Sequence, residues 1–147
     1  MLLHVVLPVI AGAAIYVLWR SPTLQVFHWL EAAGVGSVVR ALRAAAAPAR
    51  SLLPPWVLLS LPDGLWVYAL TAWLAQIWRG AKGRARVAWL SVGPCLGVGS
   101  ELGQWAGLVP GTFDVADLIA GAAAAALSLA LNARRGEPSC GVVISNR

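Results

Sequence analysis

Four stretches of the chain are almost continuously apolar, and the polar residues gather between them. The first, residues 2–19, is broken only by His4, Pro8 and Gly12 and stops at Arg20, Ser21 and Pro22. At about 1.5 Å of rise per residue, such a helix just crosses a hydrocarbon layer. A signal peptide starts with basic residues, and none precedes this run, so it reads as a retained helix. The second stretch, 58–78, follows Pro54 and Pro55 and contains Leu61-Pro62-Asp63-Gly64. Pro before Asp predicts a helix start there, with Asp63 as the cap or in the first turn. That helix is short for a span, so residues 56–61 are expected at membrane depth as an entry segment or an extra turn. The third stretch, 87–109, holds Pro94, which should kink it. Its glycines at 93, 97, 99, 103 and 107 form rows of small residues through which a neighbouring helix, or a second copy of the chain, packs closely. The fourth, 115–131, opens on Asp117 and continues into an alanine-rich segment. Between the last two, Pro110-Gly111-Thr112 predicts a tight turn and an antiparallel hairpin.

The connection 21–53 is too polar to cross a membrane and too apolar for a free linker. On a helical wheel Gln25, His28, Arg40, Arg43 and Arg50 fall within about 60° of one direction, opposite Leu, Phe, Val and Ala. A surface-lying helix or pair of helices follows, interrupted at Gly34, Gly36 and Pro48; a loop packed over the bundle is the alternative. The expected fold class is all-α: a membrane helix bundle with about four transmembrane helices and an amphipathic segment between the first and second. Residues 1–132 form one domain, and 133–147 form a polar C-terminal tail.

Composition agrees with this pattern. Of 147 residues, 59% are apolar and 12% charged, against about 45–50% and 25% in soluble domains. The net charge of +5 comes from basic residues clumped between apolar runs. A nucleic-acid binder would instead show a basic face with interleaved aromatics, so membrane lipid is the expected partner and nucleic acid is not. Trp19, Trp56, Trp78 and Trp105 sit at run ends, where an interfacial belt belongs. Cys95 and Cys140 lack any CxxC spacing, and His4 and His28 stand alone, so no disulfide, metal site or cofactor is expected.

Four crossings put both termini on one side, together with Arg79, Lys82, Arg84, Arg86, Arg134, Arg135 and Arg147. Arg20, Arg40, Arg43 and Arg50 lie on the other side. The excess of basic residues on the first side makes both termini cytoplasmic.

The acidic residues then converge. Asp63 starts the second helix, Glu101 and Gln104 end the third, and Asp114 and Asp117 open the fourth, all at the extracytoplasmic end. Glu101 and Gln104 share a helix face, as do Asp114 and Asp117. A carboxylate near membrane depth faces protein or water and takes a partner, and Arg20, Arg40, Arg43 and Arg50 are the candidates. Such a cluster either binds a polar or cationic group of an envelope ligand or only caps and bridges helices.

The segment Ser100-Glu101-Leu102-Gly103-Gln104, with Gly111-Thr112-Phe113-Asp114-Val115-Ala116-Asp117 and Gly121, resembles the VanZ-like family of bacterial membrane proteins. That family pairs a helix ending in Glu-x-x-Gln with a short turn and an Asp-x-x-Asp helix start. The resemblance implies a multi-pass protein of the bacterial cytoplasmic membrane with an envelope-facing site, and a link to resistance to the glycopeptide teicoplanin.

Three functions remain in view. The first is a non-enzymatic envelope protein whose residues Asp63, Glu101, Gln104, Asp114 and Asp117 bind an envelope-related ligand. The second is a membrane enzyme acting on a lipid-linked substrate, with Glu101 or an Asp as general base; no Ser-His or metal-ligand spacing completes its site. The third is a small proton- or ion-coupled transporter, for which only Thr71, Gln76, Ser91 and Ser128 supply polar groups along the bundle.

Overall fold

A computed structural model describes residues 3–134. Most of the polar tail, including Arg135, Cys140 and Arg147, lies outside the described residues. Within them the chain is all-α, with seven α-helices, one 3-10 segment and no strand.

Four long helices carry the fold: α1 (Leu3–Trp19), α5 (Leu61–Ile77), α6 (Arg84–Trp105) and α7 (Val115–Arg134). The short helices α2 (Gln25–Ala32), α3 (Gly36–Ala46) and α4 (Pro55–Leu59), with the 3-10 segment Ala47–Leu52, connect α1 to α5. Helix α5 is central and packs against α1, α6 and α7. Its neighbours run antiparallel to it on the α1 and α6 sides. His4 meets Tyr68 while Arg20 meets Leu59, and Trp78 stacks on Trp89 while Val67 approaches Gly97. Helix α7 runs parallel to α5, since Gly64 lies against Ala120 and Tyr68 against Ser128.

Small residues make these approaches possible. A methyl group added at Gly64 would stand 3.2 Å from the Ala120 carbonyl oxygen, and one at Gly12 would stand 2.7 Å from Trp66 Nε1. Gly93 sits over Thr71 and Gly97 over Val67, so these two members of the glycine rows serve the α5–α6 contact within the chain. Gly99 faces open space. Gly107 belongs to neither group. Its φ of 70° and the bonds Gly107 N–H to Gln104 O and Leu108 N–H to Gly103 O form a Schellman cap that ends α6.

That cap corrects the expected third helix and its turn. The helix starts at Arg84 rather than 87 and stops at Trp105 rather than 109, and residues 106–114 form a longer connection in place of a tight Pro110-Gly111-Thr112 turn. Glycine at the first position past the helix reaches the left-handed region without steric cost, so the chain leaves the helix there despite the apolar Leu108 and Val109 that follow. The second run is cut at Ser60, with Asp63 in the first turn of α5 and no side-chain cap. Pro62 lacks the N–H that would continue the ladder at this point.

The buried set of side chains is small: Ala69, Ala72, Ala75 and Ala125 with Leu58, Pro62, Leu74 and Phe27, the hydroxyls of Ser60, Thr71 and Ser128, and the Glu101 carboxylate. Many large apolar side chains point outward, including Ile10, Leu96, Ile119 and Leu127. One helix among the described residues, Val115–Ala133, is long and apolar enough to cross a membrane; α1 is apolar but shorter.

Candidate functional site

The end of the molecule formed by the α5 and α7 N-termini and the α6 C-terminus holds a cavity of about 360 Å³. Asp63 from α5, Glu101 and Gln104 from α6, and Asp117 from α7 line it. Trp66, Val67 and Leu70 supply its apolar wall, and Gly97 and Gly121 leave room between the helices. A volume of this size suits a small ligand.

Glu101 is 7% exposed, and its Oε2 accepts the backbone N–H of Asp114 at 3.1 Å. Asp114 in turn caps α7, its Oδ1 accepting the Ala116 N–H at 2.7 Å. In a capping box the acid three residues into the helix would accept the cap residue's N–H. Here that acid is Asp117, and Glu101 has taken its donor. Asp117 therefore turns to the cavity, and its Oδ1 is buried with no hydrogen-bond partner among the described residues.

Asp63 pairs with Arg20 at 3.3 Å, and it also feels the charges of Glu101 and Asp117. Arg20 reaches Leu59 O at 3.1 Å as well. The other three candidate arginines make no contact with Asp63, Glu101, Asp114 or Asp117. Arg40 pairs with Glu31. Arg43 donates to Val17 O at 2.6 Å and Arg20 O at 2.8 Å, and Arg50 donates to Trp19 O at 3.0 Å. The C-terminal carbonyls of α1 lie within reach of Arg43 and Arg50, and a helix C-terminus attracts cations through its dipole.

Four of the five acidic-end residues expected at the site thus line one cavity, and Asp114 is excluded from it by its capping role. Ser100, Trp66 and Gly121 were not singled out as site residues. Only helix packing brings them to the wall, although Ser100 and Gly121 both stand in the segments that carry the family resemblance. His4 bonds Tyr68 at 2.9 Å, and His28 lies beside α3, so neither imidazole lines the cavity. Among the described residues no group of three or more His, Cys, Asp or Glu converges to hold a metal ion. Cys95 is a free, exposed thiol, and Cys140 falls outside the described residues.

A larger groove of about 510 Å³ between α4–α5 and α7 is lined by Leu65, Ala120 and Ala123. Its only hydroxyls among the described residues are those of Ser60 and Tyr68, and no carboxylate, imidazole or basic group of those residues lines it. No family model, curated protein or solved structure gives a significant match to this chain.

Proposed function

We propose that this chain is a multi-pass helical protein of the bacterial cytoplasmic membrane, VanZ-like in character, that binds a cationic or hydrogen-bond-donating group of an envelope ligand in its acidic cavity without catalysing a reaction. The observation that carries this reading is the Asp117 carboxylate: its Oδ1 is buried with no partner among the described residues, and it shares one cavity with Asp63, Glu101 and Gln104. An unsatisfied buried acceptor costs stability unless something else supplies a donor. Three carboxylates and an amide favour an ammonium or hydroxyl group over an anion.

Membrane residence is supported by the inverted distribution of side chains. The buried helix contacts are made mostly by Ala, Gly, Ser and Thr, with Leu58 and Leu74, while Ile10, Leu96, Ile119 and Leu127 are more than half exposed. In water that arrangement wastes apolar burial, whereas in lipid small residues at contacts and large ones outside are the usual solution. Four crossings through α1, the α4–α5 column, α6 and α7 then put the acidic cavity at one face and Arg79, Lys82, Arg84 and Arg86 at the other, and the basic side is cytoplasmic.

A transporter reading is weaker, because Thr71 Oγ1 donates to Val67 O at 2.7 Å and Ser128 Oγ to Tyr68 O at 3.1 Å, which is how hydroxyls are satisfied in packed helices. An enzyme reading is weaker because no imidazole lines the cavity to activate Ser100, whose hydroxyl donates to Gly97 O at 2.9 Å.

The test compares Glu101→Gln and Asp117→Asn with the parent in a host expressing the protein, measuring folded membrane yield and teicoplanin tolerance together. Tolerance falling at unchanged yield is the expected result. Loss of yield and tolerance in parallel for both variants would reduce the acids to structural supports.

A further inference from the structure

A second pocket, of about 470 Å³, lies on the far side of the Arg20–Asp63 pair from the acidic cavity. Arg20, Arg43 and Arg50 line it, drawn from the end of α1, from α3 and from the 3-10 segment, with Trp19, Leu24 and Leu59 beside them. Capping of α1 explains some of this. Arg43 and Arg50 donate to the carbonyls of Val17, Trp19 and Arg20, where a helix C-terminus favours cations.

Capping does not need so much charge. Three guanidinium groups meet one carboxylate, Asp63, and the roughly half negative charge of a helix end, which leaves an excess of about one and a half positive charges. Glu31, the other acid on this side, pairs with Arg40, and neither lines the pocket. Arg20 Nε is buried with no partner among the described residues, and Arg50 makes a single hydrogen bond. A guanidinium fork matches a phosphate bidentately, and Arg50, which uses Nη1 alone, keeps Nη2 and Nε without a partner among the described residues.

We infer that Arg20, Arg43 and Arg50 form a binding site for a phosphate ester, distinct from the acidic cavity and flanked by Trp19 and Leu59 as an apolar shoulder. A phosphodiester carries one negative charge and a phosphomonoester up to two, which brackets the excess. The same chemistry is offered by the headgroup of an anionic lipid and by free phosphate.

The experiment uses the full chain purified in a neutral detergent. Retention of phosphatidylglycerol and of zwitterionic phosphatidylcholine is measured by native mass spectrometry, with and without millimolar inorganic phosphate. Wild type is expected to retain phosphatidylglycerol in preference, and Arg43→Gln and Arg50→Gln each to weaken that retention about tenfold, since a hydrogen bond to a charged group is lost while a neutral amide can still cap α1. Arg43→Lys with Arg50→Lys should restore most of it. Glu101→Gln should leave it unchanged, which separates this site from the acidic cavity.

Displacement by inorganic phosphate assigns the site to the free anion, and persistence of the lipid assigns it to the headgroup; either supports the site. Equal retention of the two lipids by wild type, with no phosphate binding, overturns it. So does undiminished phosphatidylglycerol retention by folded Gln variants. The wild-type comparison decides even where a variant fails to fold.

Discussion

Two carboxylates line one cavity but are held differently, and their neutral variants should move stability in opposite directions. Asp117 has a buried oxygen without a donor among the described residues, while Glu101 accepts the Asp114 N–H at 3.1 Å and so ties the end of α6 to the start of α7. An unsatisfied buried acceptor costs about 1–3 kcal/mol. Asp117→Asn removes its charge and introduces an amide donor that can face Asp63 or Glu101. The variant also gives up a carboxylate in the first turn of α7, worth about 0.3–1 kcal/mol through the helix dipole. The balance is a gain of about 1 kcal/mol, or a rise of about 2–4 °C in melting temperature for a domain of this size. Glu101→Gln keeps its shape but turns a charge-assisted bond into a neutral one, a loss of about 1 kcal/mol. Both variants should weaken a bound cation by up to several hundredfold, because one charge at about 4 Å in an effective dielectric near 20 is worth about 4 kcal/mol. The assay pairs thermal unfolding of the detergent-solubilised protein, followed by helical circular dichroism, with titration of ethylammonium by saturation-transfer NMR. If Asp117→Asn destabilises the fold as much as Glu101→Gln, the orphaned oxygen is a structural acceptor and the reasoning fails.

Other expectations follow from packing and topology. Gly93→Ala places a methyl 2.2 Å from Thr71 Oγ1 in a fully buried contact, so it should cost about 1–3 kcal/mol in thermal unfolding. Thr71→Ala in the same chain should recover part of that loss, and purely additive effects would mean the two residues do not touch. Gly107→Ala forces a side chain into the left-handed region at φ 70°, with an expected cost of about 1–3 kcal/mol and fraying of the last turn of α6 by hydrogen exchange. For orientation, Thr112→Cys should react with a membrane-impermeant maleimide in intact cells and Lys82→Cys only after lysis, both in a Cys95→Ser, Cys140→Ser background. The reverse pattern inverts the assigned topology.

Much of the fold could be read from the sequence because apolar run length and breaker residues act locally. The four long helices follow the four runs, and Pro62 and Gly107 stop or start helices through their own backbone restrictions, whatever surrounds them. Local patterning also put Asp63, Glu101, Gln104 and Asp117 at one end, since alternating helix direction fixes which termini share a face. It could not decide between two competing endings for α6, and the apolar Leu108 and Val109 favoured the wrong one. Which arginine meets which acid depends on distances through space. Arg40 has Glu31 within reach, while Arg43 and Arg50 find the bare carbonyls of α1 first, so only Arg20 closes on the acidic end. The roles of Asp114 and Asp117 are likewise a tertiary decision. Both stand at the start of one helix with the spacing of a capping box, and a carboxylate arriving from α6 turns one into a cap and leaves the other facing the cavity. Sequence dictates each helix and its polar end through short-range sterics and hydrophobicity. The partner of each charge is settled only when helices distant in the chain come together, because desolvated hydrogen bonds depend on a few tenths of an ångström that no linear pattern records.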